Sequence, residues 1–484
     1  MPQLSSVYLE SQSPMNEIFS PTNVYLPITN LTTQYLEFSE LLQILHDLPL
    51  LNCLNVGYIN SEYDSDEDLS NQLCNAVHLR KLNINEFPYS FEKIKMLLQC
   101  TPNLAHLALS AHNNLSMFDA HQWEDLIVSS LHNLNAFKFS FTTTNANKNI
   151  MSKLKQFRTD SHSSLSYSIQ GPDTIVTRDR KMSNAGNNHL AHDSVAALQL
   201  ALMYSITSNV SYAALATRIL VSWTNTLAII NGSDAQLAAA LSGTQLVNAA
   251  EIIRYTYPGW SSEDIFKFEN MIVNIFYPPA SQTTPTPEQQ YPFEANWGTS
   301  GEKAIIAFGI FLNNRTMYQY GKSLINSSKC ANLTGTINPE GQASESGRDQ
   351  AHTQLGLGNL GEAFQMAWNQ GEDLFSLVDN RLLAGFEYTA KYNLGYTVPY
   401  NESFYRCDAF LVGGPWPIIS NTTRGMWRPI WELPYAHYGS IKGLSMPFTL
   451  QQIKRNSPDG PNPASAIADN AAWETLRFRL DPAL

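Results

Sequence analysis

Charge is scarce in this 484-residue sequence: Asp, Glu, Lys and Arg make up 15% of it and balance to −12. A net-acidic chain without a basic stripe is not a general nucleic-acid binder. If it holds an anionic polymer, a local cationic pocket must do so, because the whole-protein field repels it. No apolar run approaches the roughly 18 residues of a membrane-spanning helix, so no membrane partner is expected. The N-terminus, Met1-Pro2-Gln3-Leu4-Ser5-Ser6, has neither the basic start nor the apolar core of a signal peptide. Cysteine is sparse as well. Cys53, Cys74, Cys100, Cys330 and Cys407 form no CxxC or Cys/His spacing, so no zinc site, and no other metal or cofactor, is expected. The first three read as core thiols, and Cys330 and Cys407 can pair if the protein is exported. Asn209, Asn231, Asn314, Asn326, Asn332, Asn401 and Asn421 each open an Asn-x-Ser/Thr triplet. That density points to secreted ancestry without fixing a location.

What is present divides into two styles. Over residues 1–141 one pattern recurs: Leu51-x-x-Leu54-x-Val56, Leu79-x-x-Leu82-x-Ile84, Leu104-x-x-Leu107-x-Leu109 and Leu134-x-x-Phe137-x-Phe139. Leu4-x-x-Val7-x-Leu9 fits it, and Leu31 to Leu36 is a degenerate copy. Spacings of 25 to 30 residues are those of leucine-rich repeats, in which each LxxLxL is a short strand and the repeats stack into an α/β solenoid. The segment resembles the repeats of F-box-associated leucine-rich proteins. That resemblance implies a possible protein partner. The array starts mid-pattern at Met1, so a capping repeat is expected to be missing.

Residues 142–166 are polar and aperiodic and read as a linker. From 167 to 484 the pattern is helical, with apolar spacing near 3.6 over 193–208, 211–230, 235–255, 262–275, 299–312, 316–325, 345–370 and 371–392. A Pro/Thr-rich loop interrupts them at 278–290.

The most informative stretch is Glu345-Ser346-Gly347-Arg348-Asp349-Gln350-Ala351-His352. On one helix, Arg348 and His352 share a face. A core helix that spends a guanidinium and an imidazole on one stripe holds an anion or moves a proton. Four further blocks accompany it: Asn248 to Arg254 closed by Trp260; Ala295-Asn296-Trp297 with Ala304 to Arg315; Ala390-Lys391-Tyr392-Asn393-Leu394-Gly395; and Arg428 to Leu433 with Tyr435, His437 and Tyr438. Together these five resemble the alginate lyase family over about residues 165–450. The resemblance implies a mostly α protein whose lyase domain is an (α/α) toroid. The toroid is expected to be incomplete, because family members carry more sequence before that point.

The resemblance also implies β-elimination on an anionic polysaccharide such as alginate or glucuronan, with no metal. An enzyme for this must neutralise the uronate carboxylate, take the C5 proton and protonate the departing O4. The catalytic candidates are Asn296 as neutraliser, Arg348 as carboxylate clamp, His352 as donor or base, and Tyr392 for proton transfer. Substrate-binding candidates are Trp297 for ring stacking, Glu345 and Asp349 as orienters, Tyr388, Asn188 and His189 in the groove, and Lys391 and Arg428 as groove cations. Each has a structural alternative: cap, ion pair or core ring. Two rival functions stand beside the lyase. One is a glycoside hydrolase using Glu345 and Asp349 or Glu432. The other is an inactive chimera whose repeats serve as a protein-interaction module.

Overall fold

The structure is a computed structural model that describes residues 6–9, 28–60, 76–112, 117, 120–142, 148–179, 184–281, 294–405, 413–456, 460 and 467–480. Leu4, Cys74, Cys407, residues 143–147 and most of the Pro/Thr-rich loop lie outside them. The chain divides into two compact units, Met1–Ala146 and Asn147–Leu484.

The first unit is a six-stranded parallel sheet in sequential order: β1 (Ser6–Leu9), β2 (Asn30–Glu37), β3 (Cys53–Asn60), β4 (Lys81–Phe87), β5 (His106–His112) and β6 (Ala136–Thr142). Helices α1 (Phe38–Asp47), α2 (Phe91–Gln99) and α3 (Ala120–Ser130) follow β2, β4 and β5. The repeated leucines explain the register. Val7, Leu31, Leu54, Leu82, Leu107 and Phe137 stand side by side across all six strands. The central four of these are at most 2% exposed. They form one core with Phe38, Ile94 and Leu97 of the helices. Phe137 departs from the pattern: it is 38% exposed, with its ring against Trp123.

The second unit is helical. Its order is α4 (Lys148–Thr159), β7 (Ile175–Thr177), α5 (Asn187–Thr207), α6 (Val210–Thr226), β8 (Ile229–Asn231), α7 (Ala235–Thr256), α8 (Ser262–Met271), α9 (Tyr277–Ser281), α10 (Ala295–Phe311), α11 (Arg315–Ser327), α12 (Leu333–Thr336), α13 (Gln350–Trp368), α14 (Leu377–Asn393), α15 (Glu432–Pro434), α16 (Pro447–Asn456) and α17 (Glu474–Phe478). No described helix is long and apolar enough to cross a membrane.

Helices α5, α7, α10 and α13 are buried almost all round, the signature of helices with neighbours on every side. They pack in that succession. Cross-helix contacts show that they run parallel. Tyr204 bonds the Thr256 carbonyl at the C-terminal ends of α5 and α7. Gln236 and Arg254 of α7 reach the Trp297 and Phe311 carbonyls of α10 in that order. Thr299 and Lys303 of α10 meet Asn359 and Glu362 of α13. Helices α11 and α14 return antiparallel: Gly309 abuts Tyr318 while Gly321 abuts Ile305 and Ile306, and Gln350 meets Asn393 while Leu357 meets Gly385. The N-terminal ends of four parallel helices therefore lie at one end of this unit.

Five expectations are corrected. The segment expected as a linker holds α4, because Phe157 finds a core partner in Trp473 and sinks to 1% exposure. The helix expected from 345 begins at Gln350, because Asp349 caps it: its Oδ1 accepts the His352 N–H at 2.7 Å. The helix expected from 299 begins at Ala295, and that expected from 193 begins at Asn187, behind Gly186 in the left-handed conformation (φ 70°). Cys100 is disulfide-bonded rather than a thiol, while Cys53 is free; Cys330, expected to be able to pair, is disulfide-bonded.

Candidate active site

The expected chemistry collects at the N-terminal end of α10 and α13. Glu345, 3% exposed, is its hub. One carboxylate oxygen accepts the Asn296 side-chain N–H at 2.5 Å and the Asn296 backbone N–H at 3.3 Å. The other accepts from Arg348 Nη1 at 2.8 Å. Arg348 Nη2 lies 3.0 Å from His352 Nε2, and His352 Nδ1 lies 2.7 Å from Asp349 Oδ2.

These distances assign the imidazole. A guanidinium has only donors, so His352 Nε2 accepts and Nδ1–H donates to Asp349. The lone pair that a general base needs is turned toward Arg348. In this arrangement the His352 ring bears on the guanidinium. Burial pushes the Asp349 carboxyl upward. Hydrogen bonds from the His352 ring and backbone, together with the His352 and Arg348 charges, outweigh it and hold the group below its usual range.

Arg348 was expected on a helical stripe with His352. It sits instead in the turn before α13 and meets His352 across the cap. Asn296 is 1% exposed, with one amide proton committed to Glu345 and with Oδ1 unpartnered among the described residues. Ala295 before it has φ 42°, a strained value for a residue with a Cβ. Helix N-termini each carry roughly half a positive charge, so the shared end of α5, α7, α10 and α13 favours an anion even in an acidic chain.

The other predicted residues scatter. Trp297 packs against Leu237, Leu241 and Leu355 and offers no open ring. Asn188 and His189 form the exposed first turn of α5, where His189 pairs with Asp173 at 2.8 Å. Tyr388 gives its hydroxyl proton to the Pro399 carbonyl at 2.5 Å, and burial raises its pKa. Tyr392 is 6% exposed beside Tyr388 and Val398, with the Arg424 guanidinium 3.9 Å from its ring centre. Lys391 lies over Phe448. Arg428 is not a groove cation: it is buried and paired with Asp469 at 2.8 Å. Glu432 is buried as well, held by Arg479 and Thr475.

Sequence reasoning missed the segment 416–423. Ser420 N–H donates to the Ser346 carbonyl at 2.9 Å, the Gln350 N–H to the Thr422 carbonyl at 3.0 Å, and the Ala351 N–H to Thr423 Oγ1 at 2.8 Å. It weighed Tyr400, with Tyr396, below Tyr392; the Tyr400 hydroxyl lies against Gly347, beside Arg348, and donates to the Trp416 carbonyl at 2.8 Å. A Cβ on Gly347 would overlap that hydroxyl and the Trp416 Cβ, so any other residue there would force them to shift. The one sequence signal was that glycine between Ser346 and Arg348.

The family model for alginate lyase matches residues 140–397, a span that holds Asn296, Glu345, Arg348, His352 and Tyr392. The chain belongs to the alginate lyase family. The match begins earlier and ends sooner than the expected 165–450. Among solved structures, the chain is similar to a histidine-to-alanine variant of alginate lyase A1-III complexed with tetrasaccharide: 11% identity, 70% of this chain and 96% of the other covered, TM-score 0.47. It is similar to alginate lyase A1-III from Sphingomonas species A1 with 11% identity, the same coverages and TM-score 0.46. An alginate lyase from Bacteroides ovatus gives 13% identity, 70% and 94% coverage and TM-score 0.44. No curated relative matches. This alginate lyase family chain has no group of three or more metal-ligating side chains among its described residues.

Proposed function

We propose that residues 167–484 form an α/α toroid lyase domain that cleaves a uronic-acid polymer, alginate or a glucuronan, by β-elimination without a metal. One observation carries the reading. The Arg348 guanidinium, 15% exposed, is gripped by Glu345 and His352 at the shared N-terminal end of parallel helices. A hydrogen on each terminal nitrogen remains for a uronate carboxylate, and the helix ends add to the positive field. Neutralising that carboxylate acidifies the C5 proton. A tyrosine then serves both proton transfers, its hydroxyl proton passing to the departing O4 as its oxygen takes the C5 proton, and two compete. Tyr392 is the candidate of the family block. Tyr400 is better placed, with its hydroxyl beside the Arg348 turn. Burial, then the Glu402 charge, raises the Tyr400 pKa and keeps it protonated, as a donor to the departing O4 must be.

The hydrolase reading loses support from Glu345 and Glu432, both buried and committed to cations. The inactive-chimera reading draws on the packed Trp297 and Tyr392. Residues 1–141 we read as a leucine-rich-repeat solenoid, supported by the sequential parallel order and the leucine register.

The test is the ultraviolet absorbance of the unsaturated uronate, followed on alginate, glucuronan and hyaluronan. A rise that Arg348→Ala abolishes, and that Tyr400→Phe reduces more than Tyr392→Phe, bears the reading out. A folded chain that gives no rise on any polymer overturns it.

A further inference from the structure

We propose that the outward face of the six-stranded sheet is a docking lane for the anionic polysaccharide itself. The proposal takes the identity of the polymer from the lyase reading above.

The first unit is strongly acidic: residues 1–146 hold fifteen Asp and Glu against five Lys and Arg. Two rows of its sheet depart from that balance. One runs from Ser6 on β1 to Ala136 on β6 and contains Lys81 and His106 as neighbours. The other runs two residues further along, from Tyr8 to Lys138, through Asn55 and Asn83. Neither row contains a carboxylate. Both flank the buried leucine row, so strand alternation turns them outward. Glu37 and Glu86 come only toward the C-terminal ends of their strands.

The rows offer what an anionic sugar chain needs. Lys81 and Lys138 are exposed cations for carboxylates. On the β1 side of them an amide ladder for hydroxyls crosses β4, β3 and β2: Asn83 donates to Asn55 at 2.6 Å, and Asn55 to Thr32 Oγ1 at 3.1 Å. A tyrosine ring suited to a pyranose face stands at the β1 end of the second row, with Tyr8 56% exposed. Six strands at about 4.8 Å make a lane of roughly 24 Å. A protein partner would want an apolar anchor at the centre, where this lane has Thr32, Asn55 and Asn83. With screening lengths near 8 Å in physiological salt, the local cations rather than the net charge decide contact. Covalent linkage to the second unit then raises the effective concentration of polymer for it.

The test uses the full chain carrying Arg348→Ala, so that polymer stays uncut, on immobilised alginate and on neutral dextran. Lys81→Glu with Lys138→Glu should weaken retention on alginate on the order of tenfold and leave dextran unchanged. In the otherwise native chain the pair should raise KM on long alginate and leave kcat unchanged. Equal retention with and without the pair overturns the lane and leaves the face to a protein partner. Weakened retention in a chain whose native form yields no unsaturated uronate keeps the lane and refutes the lyase reading. Elimination with retention untouched does the reverse.

Discussion

Two charged clusters bridge α10 and α13, and they have opposite characters. At the N-terminal end, Glu345 joins Asn296 to Arg348, while His352, with its side chain 36% exposed, faces outward. Further along the same helix pair, Lys303 bonds Glu362 at 2.7 Å and the Asp469 carbonyl at 3.2 Å, and the Asp469 carboxylate pairs with Arg428. The Lys303 side chain is 1% exposed and that of Arg428 7%. Both clusters use cations, carboxylates and a shared helix interface. Only the first leaves a cation that solvent can reach. The second is sealed and ties the C-terminal segment to the bundle. A cation in a family block is therefore functional or structural according to what covers it.

That contrast can be broken at several points. The largest effect is expected at the sealed cluster. Lys303→Met leaves Glu362 without its cation and should cost about 3–5 kcal/mol of stability, read by denaturant unfolding. A loss below ~1 kcal/mol would mean that water reaches the pair. At the open cluster Arg348→Ala leaves the buried Glu345 carboxylate with its Asn296 bonds alone, so it should cost about 1–3 kcal/mol of stability and lower elimination on the order of 10³-fold, an amount typical of removing one preorganised donor. A melting temperature that falls with no loss of activity in the folded fraction would make Arg348 structural alone. Glu345→Gln keeps the shape but frees the guanidinium to wander. It should reduce kcat on the order of 10²-fold with KM moved less, and equal kcat would deny Glu345 a positioning role. His352→Phe should cost about tenfold and leave the acidic limb of the pH–rate profile in place, on the reading that the imidazole only orients Arg348. Disappearance of that limb would restore His352 as the base.

The smallest effect concerns His437, stacked 3.7 Å from Phe375 with both ring nitrogens unpartnered among the described residues. Burial, helped by the Lys442 charge and opposed by Asp373, lowers its pKa from 6.5 to about 4. Between those values the unfolded chain binds the extra proton, so this contribution is full above about pH 6.5 and fades as pH falls toward 4. His437→Phe should flatten the fall in melting temperature over that window. An unchanged slope would mean that the ring is charged in the fold.

Much of this was legible before any coordinates. Leu54, Leu82 and Leu107 announced a stacked parallel sheet because a side-chain period of two and a repeat near 27 residues leave few other ways to bury them. The helices of the second unit followed from apolar spacing, missing their starts by a few residues at Asn187 and Ala295. Arg348 and His352 were picked out together, and they touch. The reason given, a common helical stripe, was wrong, because the Asp349 cap competes with the helix for that turn. Trp297, Tyr388 and Arg428 were read as reaching substrate, since a sequence block shows residue type but not cover. The 416–423 strap escaped, and Tyr400 ranked below Tyr392, because their partners at 346–351 lie more than fifty residues away in sequence.

The sequence by itself determined the two-part organisation, the periodic elements and the short list of chemistry-bearing side chains, because periodicity and residue type are local properties. Only the tertiary structure decided which cation stays open, which nitrogen of His352 holds the proton, and which tyrosine lies beside Arg348. Those depend on distance and burial, which chain segments remote in sequence supply when they pack.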